Sequence, residues 1–127
     1  MEMPRTQTVL VVDDEDSIRW LFDEILTAEG YSVLAASDGR EACDVLRRDV
    51  KLDLVLTDLV MPNQEGIETI RVIRQQFPKL KIIAMSGAFG GLFLSTAKVL
   101  GADATLQKPV KPEELRSTVA RVLEGNQ

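Results

Sequence analysis

The chain has 127 residues, 45% hydrophobic and 28% charged, an ordinary composition for one globular domain. Its net charge of -5 is the wrong sign for a nucleic-acid surface, and no apolar stretch approaches the ~20 residues of a membrane span. The absence of histidine excludes His-based triads, most zinc sites and a phosphohistidine; the single cysteine, Cys43, excludes an internal disulfide and points to a reducing cytoplasm.

The opening Met1-Glu2-Met3-Pro4-Arg5 lacks the apolar core of a signal peptide. Val9-Leu10-Val11-Val12 predicts a first strand over 8–13, closed by Asp13 and Asp14. A helix is predicted over 15–29, where Ile18, Leu21, Phe22, Ile25 and Leu26 share one face and Trp20 lies off it toward solvent. Gly30 follows as a C-cap. Next come a strand over 32–36 and a helix over 39–49, with Cys43 as a small core or boundary residue. A strand over 53–57 is closed by Asp58, and a helix follows over 65–76. The strand over 81–85 leads to Ser86, and the helix over 92–100 ends at Gly101. Leu92, Phe93 and Leu94 exceed one buried stripe, so they form either a partner or self-association face or more core. A last strand over 104–107 precedes Lys108, and Pro112 suits the first turn of a helix over 112–124.

Alternating strands and helices of this kind predict an α/β doubly wound parallel sheet. The first and third strands are apolar at nearly every position, as strands covered on both faces are. In such sheets the functional site lies at the carboxyl ends of the strands, and Asp13, Asp14, Asp58, Ser86 and Lys108 all fall there. Clustered carboxylates raise one another's cost of ionisation, so a cluster of this kind implies a hard cation such as Mg²⁺. An acidic metal site with one lysine and one hydroxyl beside it suits phosphoryl chemistry.

Five segments together resemble the receiver domain of two-component response regulators: Val11-Val12-Asp13-Asp14-Glu15, Asp58-Leu59-Val60-Met61-Pro62, Ser86-Gly87-Ala88, Gly101-Ala102-Asp103 and Lys108-Pro109. The resemblance implies a single receiver domain over 1–127 with the flavodoxin-like strand order 2-1-3-4-5 and helices on both faces. It implies that Asp58 accepts a phosphoryl group from a sensor histidine kinase or a histidine phosphotransfer protein. Asp14 would bind Mg²⁺ directly, Asp13 largely through water, and Asp58 and the carbonyl of Val60 would complete the protein ligands. Lys108 would pair with Asp58 and then with the phosphoryl group, Ser86 would swing toward its oxygens, and the Lys108–Pro109 bond would be cis. The product, an acyl phosphate of about -2 charge, could reorder a neighbouring hydroxyl and loop. Such a protein is a cytoplasmic switch rather than an enzyme, beyond its own phosphorylation and dephosphorylation. It would signal to a protein target, not to nucleic acid or a membrane, as a monomer or a phosphorylation-linked dimer. The start at Met1 and the lack of a linker favour a stand-alone receiver over a fragment of a longer regulator.

Receivers usually carry an aromatic residue where this chain has Thr105, so the usual coupling of Ser86 to a rotating ring is in question. Phe89, in the glycine-rich stretch after Ser86, is either a substitute ring or a partly buried loop residue. Glu65 stands where the family commonly has Asp, Asn or Ser, and reads best as a helix-entry residue near the positive dipole end. Trp20 is either an anchor for the partner, which receivers meet over the first helix, or a single exposed apolar residue. Three alternatives remain. The first is a degenerate receiver acting as an interaction module, against which the complete site set argues. The second is an aspartyl-phosphate phosphatase of the haloacid-dehalogenase type, whose Asp-x-Asp motif does not match the acceptor position. The third is a flavodoxin-like FMN binder, whose phosphate the acidic loop Asp13–Asp16 would repel.

Overall fold

Five parallel strands, β1 (Thr8–Val12), β2 (Ser32–Ala36), β3 (Leu54–Asp58), β4 (Lys81–Ser86) and β5 (Ala104–Gln107), form one sheet in the order β2-β1-β3-β4-β5. This is a computed structural model, and it describes residues 5–48, 50–59, 66–87, 95, 97, 98 and 100–125. The helices between the strands are α1 (Asp16–Ala28), α2 (Gly39–Leu46), α3 (Gly66–Gln76) and α4 (Pro112–Leu123). Of the helix predicted over 92–100, the described Ser95, Ala97 and Lys98 are helical, while Leu100 already belongs to the following turn.

Alternate side chains of each strand serve two cores, which is why the central strands read as unbroken apolar runs. Leu10, Val12, Val55, Ile82 and Ala84 pack with Ala42, Val45 and Leu46 of α2 and Ile70 and Ile73 of α3. Val9, Val11, Leu54, Leu56, Ile83 and Met85 pack with Phe22 and Leu26 of α1 and with Leu115, Val119 and Val122 of α4. Gly30 and Gly101 adopt positive φ of 95° and 111° just beyond the helical residues they follow, and Pro112 opens α4.

Two expectations are corrected. Leu21 is 38% exposed rather than buried. Phe22 and Leu26 centre the buried arc of α1, and at 3.6 residues per turn Leu21 lies roughly 120° from that centre. Helix α2 ends at Leu46, three residues short of 49. The Arg47 amide still reaches back to Cys43, but Val50 N donates instead to the nearby Arg48 carbonyl (2.8 Å) as the chain straightens toward β3.

The amino ends of β1 and β3 are joined by Asp53. Its carboxylate accepts a hydrogen bond from Thr8 N (2.8 Å) and pairs with Arg5, while its own amide donates to Thr8 O (2.9 Å). Burial alone would push the Asp53 carboxyl up, but the Arg5 and Thr8 hydrogen bonds outweigh it and hold the group below its ordinary value. A depressed carboxyl contributes stability that is present above the ordinary pKa of 3.8 and lost as pH falls through the lower folded value. Asp53→Asn is therefore expected to lose about 1 kcal/mol at neutral pH, the scale of one net hydrogen bond. Urea midpoints followed into acid should converge with those of the parent; a gap that widens there would contradict this.

Candidate functional site: an acidic cluster at the strand ends

The strand order reverses between β1 and β3, and in open α/β sheets the binding crevice lies at such a reversal, outside the carboxyl ends of the strands. Val12 pairs with Thr57, which brings the residues that follow, Asp13 and Asp58, side by side at the ends of β1 and β3. Asp58 is the last residue of β3 and Ser86 the last of β4. Ser86 pairs with Gln107, and Lys108 N donates to Ser86 O (3.0 Å), which carries Lys108 to the same edge. All five predicted side chains are thus at one end of the sheet. Asp13 is 0% and Asp58 6% exposed, Ser86 is buried and Asp14 is exposed.

Asp13, Asp14 and Asp58 each offer a carboxylate oxygen, and these oxygens lie within 4.8 Å of one another. Lys108 Nζ donates to Asp13 Oδ2 at 2.7 Å and to Asp58 Oδ2 at 3.2 Å. The resemblance implied Asp58 as its partner; Asp13, fully enclosed and in greater need of a counter-charge, holds it more closely. Burial by itself would lower the Lys108 pKa, but the hydrogen bond and charge of Asp13, followed by the charge and hydrogen bond of Asp58, raise it above the ordinary lysine value.

Asp13 is braced throughout. Its Oδ1 accepts from Glu15 N (2.9 Å), its amide donates to Ala36 O (3.1 Å), and its carbonyl accepts from Arg19 Nη1 (2.6 Å). Asp14, by contrast, has no side-chain partner among the described residues. Three carboxylates against one ammonium leave the cluster a formal charge of -2. An all-oxygen donor set with that charge fits a hard divalent cation. Asp14 and Asp58 could offer it direct ligands, with Asp13 largely committed to Lys108 and Glu15.

Three further residues shape the site, and none of them was singled out as a site residue from sequence. Thr57 Oγ1 donates to Asp58 O (3.0 Å). A Cβ on Gly87 would come within 3.1 Å of Lys108 Cβ, so the missing side chain gives the lysine stem room to lie against the strand end. Arg19 was detectable only as a basic residue one turn into α1, facing back toward the acidic loop. The Lys108–Pro109 bond is cis, as the resemblance implied. Thr105 is half-buried on β5, and Trp20 is 65% exposed. Cys43 is a half-buried boundary residue whose thiol burial pushes up. Val60, Glu65, Phe89 and Leu92–Leu94 lie outside the described residues.

Among the described residues no helix is long and apolar enough to cross a membrane. Comparison with known proteins matches residues 9–120 to the family model described as response regulator receiver domain. Sporulation initiation phosphotransferase F of Bacillus subtilis (strain 168) is 33% identical over 118 residues, covering 92% of this chain and 94% of that protein. The transcriptional regulatory protein CpxR of Escherichia coli (strain K12) is 35% identical over 115 residues, 91% of this chain; the chain spans only 48% of CpxR, about half its length. Among solved structures, the chemotaxis response regulator CheY4 of Vibrio cholerae superposes with a TM-score of 0.85 at 32% identity, covering 93% of this chain and 99% of that one. The matched span runs from β1 into α4 and takes in every carboxylate of the crevice together with its lysine, and by sequence and fold alike the chain belongs to the response regulator receiver domains of two-component systems.

Proposed function

We propose that residues 1–127 act as one receiver module, a cytoplasmic switch whose Asp58 takes a phosphoryl group from a phosphohistidine on a sensor kinase or histidine phosphotransfer protein. The observation that carries this reading is the convergence of Asp58, two further carboxylates and one ammonium at the strand-order reversal. In the transfer, an Asp58 carboxylate oxygen bonds to phosphorus while the P–N bond to the donor imidazole breaks, and the imidazole keeps the bonding pair and gains a proton from solvent. The attack uses the carboxylate form of Asp58, whose 6% exposure limits competition from water. Mg²⁺ held by Asp14, Asp58 and the Val60 carbonyl, with Asp13 behind them, would supply charge neutralisation between the two anions.

Lys108 sits between Asp13 and Asp58 and can turn its ammonium from Asp58 to the new phosphoryl oxygens without leaving Asp13. Ser86 ends the strand next to Asp58, where its hydroxyl can answer a new dianion and carry the change into the segment that follows. With Thr105 in place of an aromatic residue, that segment rather than a rotating ring passes on the signal. A small apolar cavity of about 330 Å³ lined by Ile18, Leu21, Phe22, Lys108, Pro109 and Val110 reaches the site through Lys108; with the exposed Trp20 on the same helix as Ile18, Leu21 and Phe22, it suits the protein that brings the histidine. The module turns over no separate substrate; its output is a changed surface read by a protein target.

Incubation with acetyl phosphate is expected to add one phosphoryl group to the intact mass in the presence of Mg²⁺ and none with the metal chelated. A gain that is insensitive to chelation would remove the metal from the reading. Lack of any gain, together with no transfer from a phosphorylated histidine phosphotransfer protein, would make this a degenerate receiver.

A further inference from the structure

We propose that Arg19 is a positioning residue for the metal site, its guanidinium gripping the Asp13–Asp16 turn so that Asp14 is held facing Asp58. The inference rests on the reading of the acidic cluster as a Mg²⁺ site.

Arg19 lies one turn into α1. Its Nη1 donates to Asp13 O at 2.6 Å, and its Nη2 pairs with the Asp16 carboxylate. One planar group thus spans the turn from residue 13 to residue 16, with Asp14 and Glu15 between the two anchors. The span is braced from inside by Glu15 N donating to Asp13 Oδ1 (2.9 Å), and it joins the helix through Ile18 N and Arg19 N, both on Glu15 O (3.2 Å). Asp14 itself is exposed and has no side-chain partner among the described residues, so only the backbone of this turn sets its place.

The Asp16 contact alone would not carry the argument. The Asp16 side chain is 93% exposed, and an i,i+3 ion pair on a helix surface contributes only a few tenths of a kcal/mol. The Arg19 side chain is 20% exposed, tucked in against the Asp13 carbonyl, and a charge-assisted bond to the backbone of an enclosed residue is the stronger of the two. A planar fork with two separate acceptors fixes an orientation that a lysine, with its single ammonium, does not.

Charge and positioning make opposite predictions. Arg19 is a cation beside a cation site, so by Coulomb repulsion alone its removal would tighten Mg²⁺ binding. As a clamp on the turn bearing Asp14, its removal weakens binding. The sign of the change decides between them.

The test is calorimetric titration of Mg²⁺ into the metal-free parent protein, Arg19→Ala and Arg19→Lys, with circular dichroism to verify that each is folded. Groups that orient metal ligands typically contribute 10–100-fold in affinity, and Arg19→Ala is expected to bind about tenfold more weakly, at the low end of that range. Arg19→Lys keeps the charge but loses the fork, and is also expected to bind more weakly than the parent. Arg19→Ala binding as tightly as the parent or tighter, or Arg19→Lys matching the parent, overturns the clamp while leaving the metal site intact. A parent protein that takes up no Mg²⁺ overturns the site reading itself, and the clamp with it; the parent titration alone separates the two failures.

Discussion

Asp58→Asn is expected to abolish phosphoryl uptake and, at the same time, to make the metal-free fold harder to unfold. The first half follows from the chemistry: a carboxamide nitrogen or oxygen is no substitute for an ionised carboxylate attacking phosphorus, and no mass gain should appear under conditions that phosphorylate the parent. The second half follows from distances. Among the charges of the described residues, Asp58 in the parent meets two like ones within 4.8 Å and one opposite at 3.2 Å. Coulomb energy falls as the inverse of distance, so the two repulsions together exceed the one attraction. Asp58 is also only 6% exposed, and the desolvation of its charge adds to the cost. Asparagine keeps an acceptor for Lys108, which retains its shorter bond to Asp13. The expected gain is about 1 kcal/mol, seen as a rise of a few degrees in the thermal midpoint in chelator. Mg²⁺ should then raise the midpoint of the parent more than that of the variant, because the variant has given up a ligand. A variant that melts below the parent without metal would show that the Lys108 bridge outweighs the repulsion.

Such a trade of stability for function explains why the site could be read from sequence more readily than its supports. Asp13, Asp14 and Asp58 interrupt apolar runs where burial and local propensity alone give no reason for a charge, and topology then places those interruptions together. The strands were legible for a related reason: β1 and β3 are covered on both faces, so their composition leaves little choice of element. Less visible was whatever depends on distance across elements. Periodicity puts Leu21 near the apolar stripe of α1, but only the positions of Phe22 and Leu26 against the sheet show that it lies at the edge. Lys108 follows β5 in sequence, yet its nearer partner, Asp13, sits three strands away, beyond β4 and β3. Arg19 and Gly87 act through a carbonyl and through a missing Cβ, which residue identity does not announce.

Lys108→Met should move stability in the opposite direction to Asp58→Asn, and by more. Methionine keeps an unbranched stem of similar length for the space beside Gly87, so the packing change is small and the loss is mainly that of the ammonium. Asp13 is then a fully buried carboxylate whose Oδ2 has lost its 2.7 Å partner, with the carboxylates of Asp14 and Asp58 close beside it. Removing one member of a buried ion pair typically costs 3–5 kcal/mol; with Asp14 open to solvent we expect about 3 kcal/mol by urea denaturation in chelator. Because the Lys108 pKa in the fold lies above the ordinary 10.5, its contribution is complete below that value. The deficit should therefore stay level through neutral pH and close only as the solution becomes strongly alkaline. Adding Asp13→Asn to Lys108→Met removes the orphaned charge and should restore most of the loss, so the double-mutant cycle reads the coupling directly. Excess Mg²⁺ should also narrow the gap, since a dication among the three carboxylates does part of the neutralising that the ammonium did. A Lys108→Met protein as stable as the parent without metal would mean that the Asp13–Lys108 bridge adds nothing net to the fold, and that this lysine is kept for phosphoryl transfer alone.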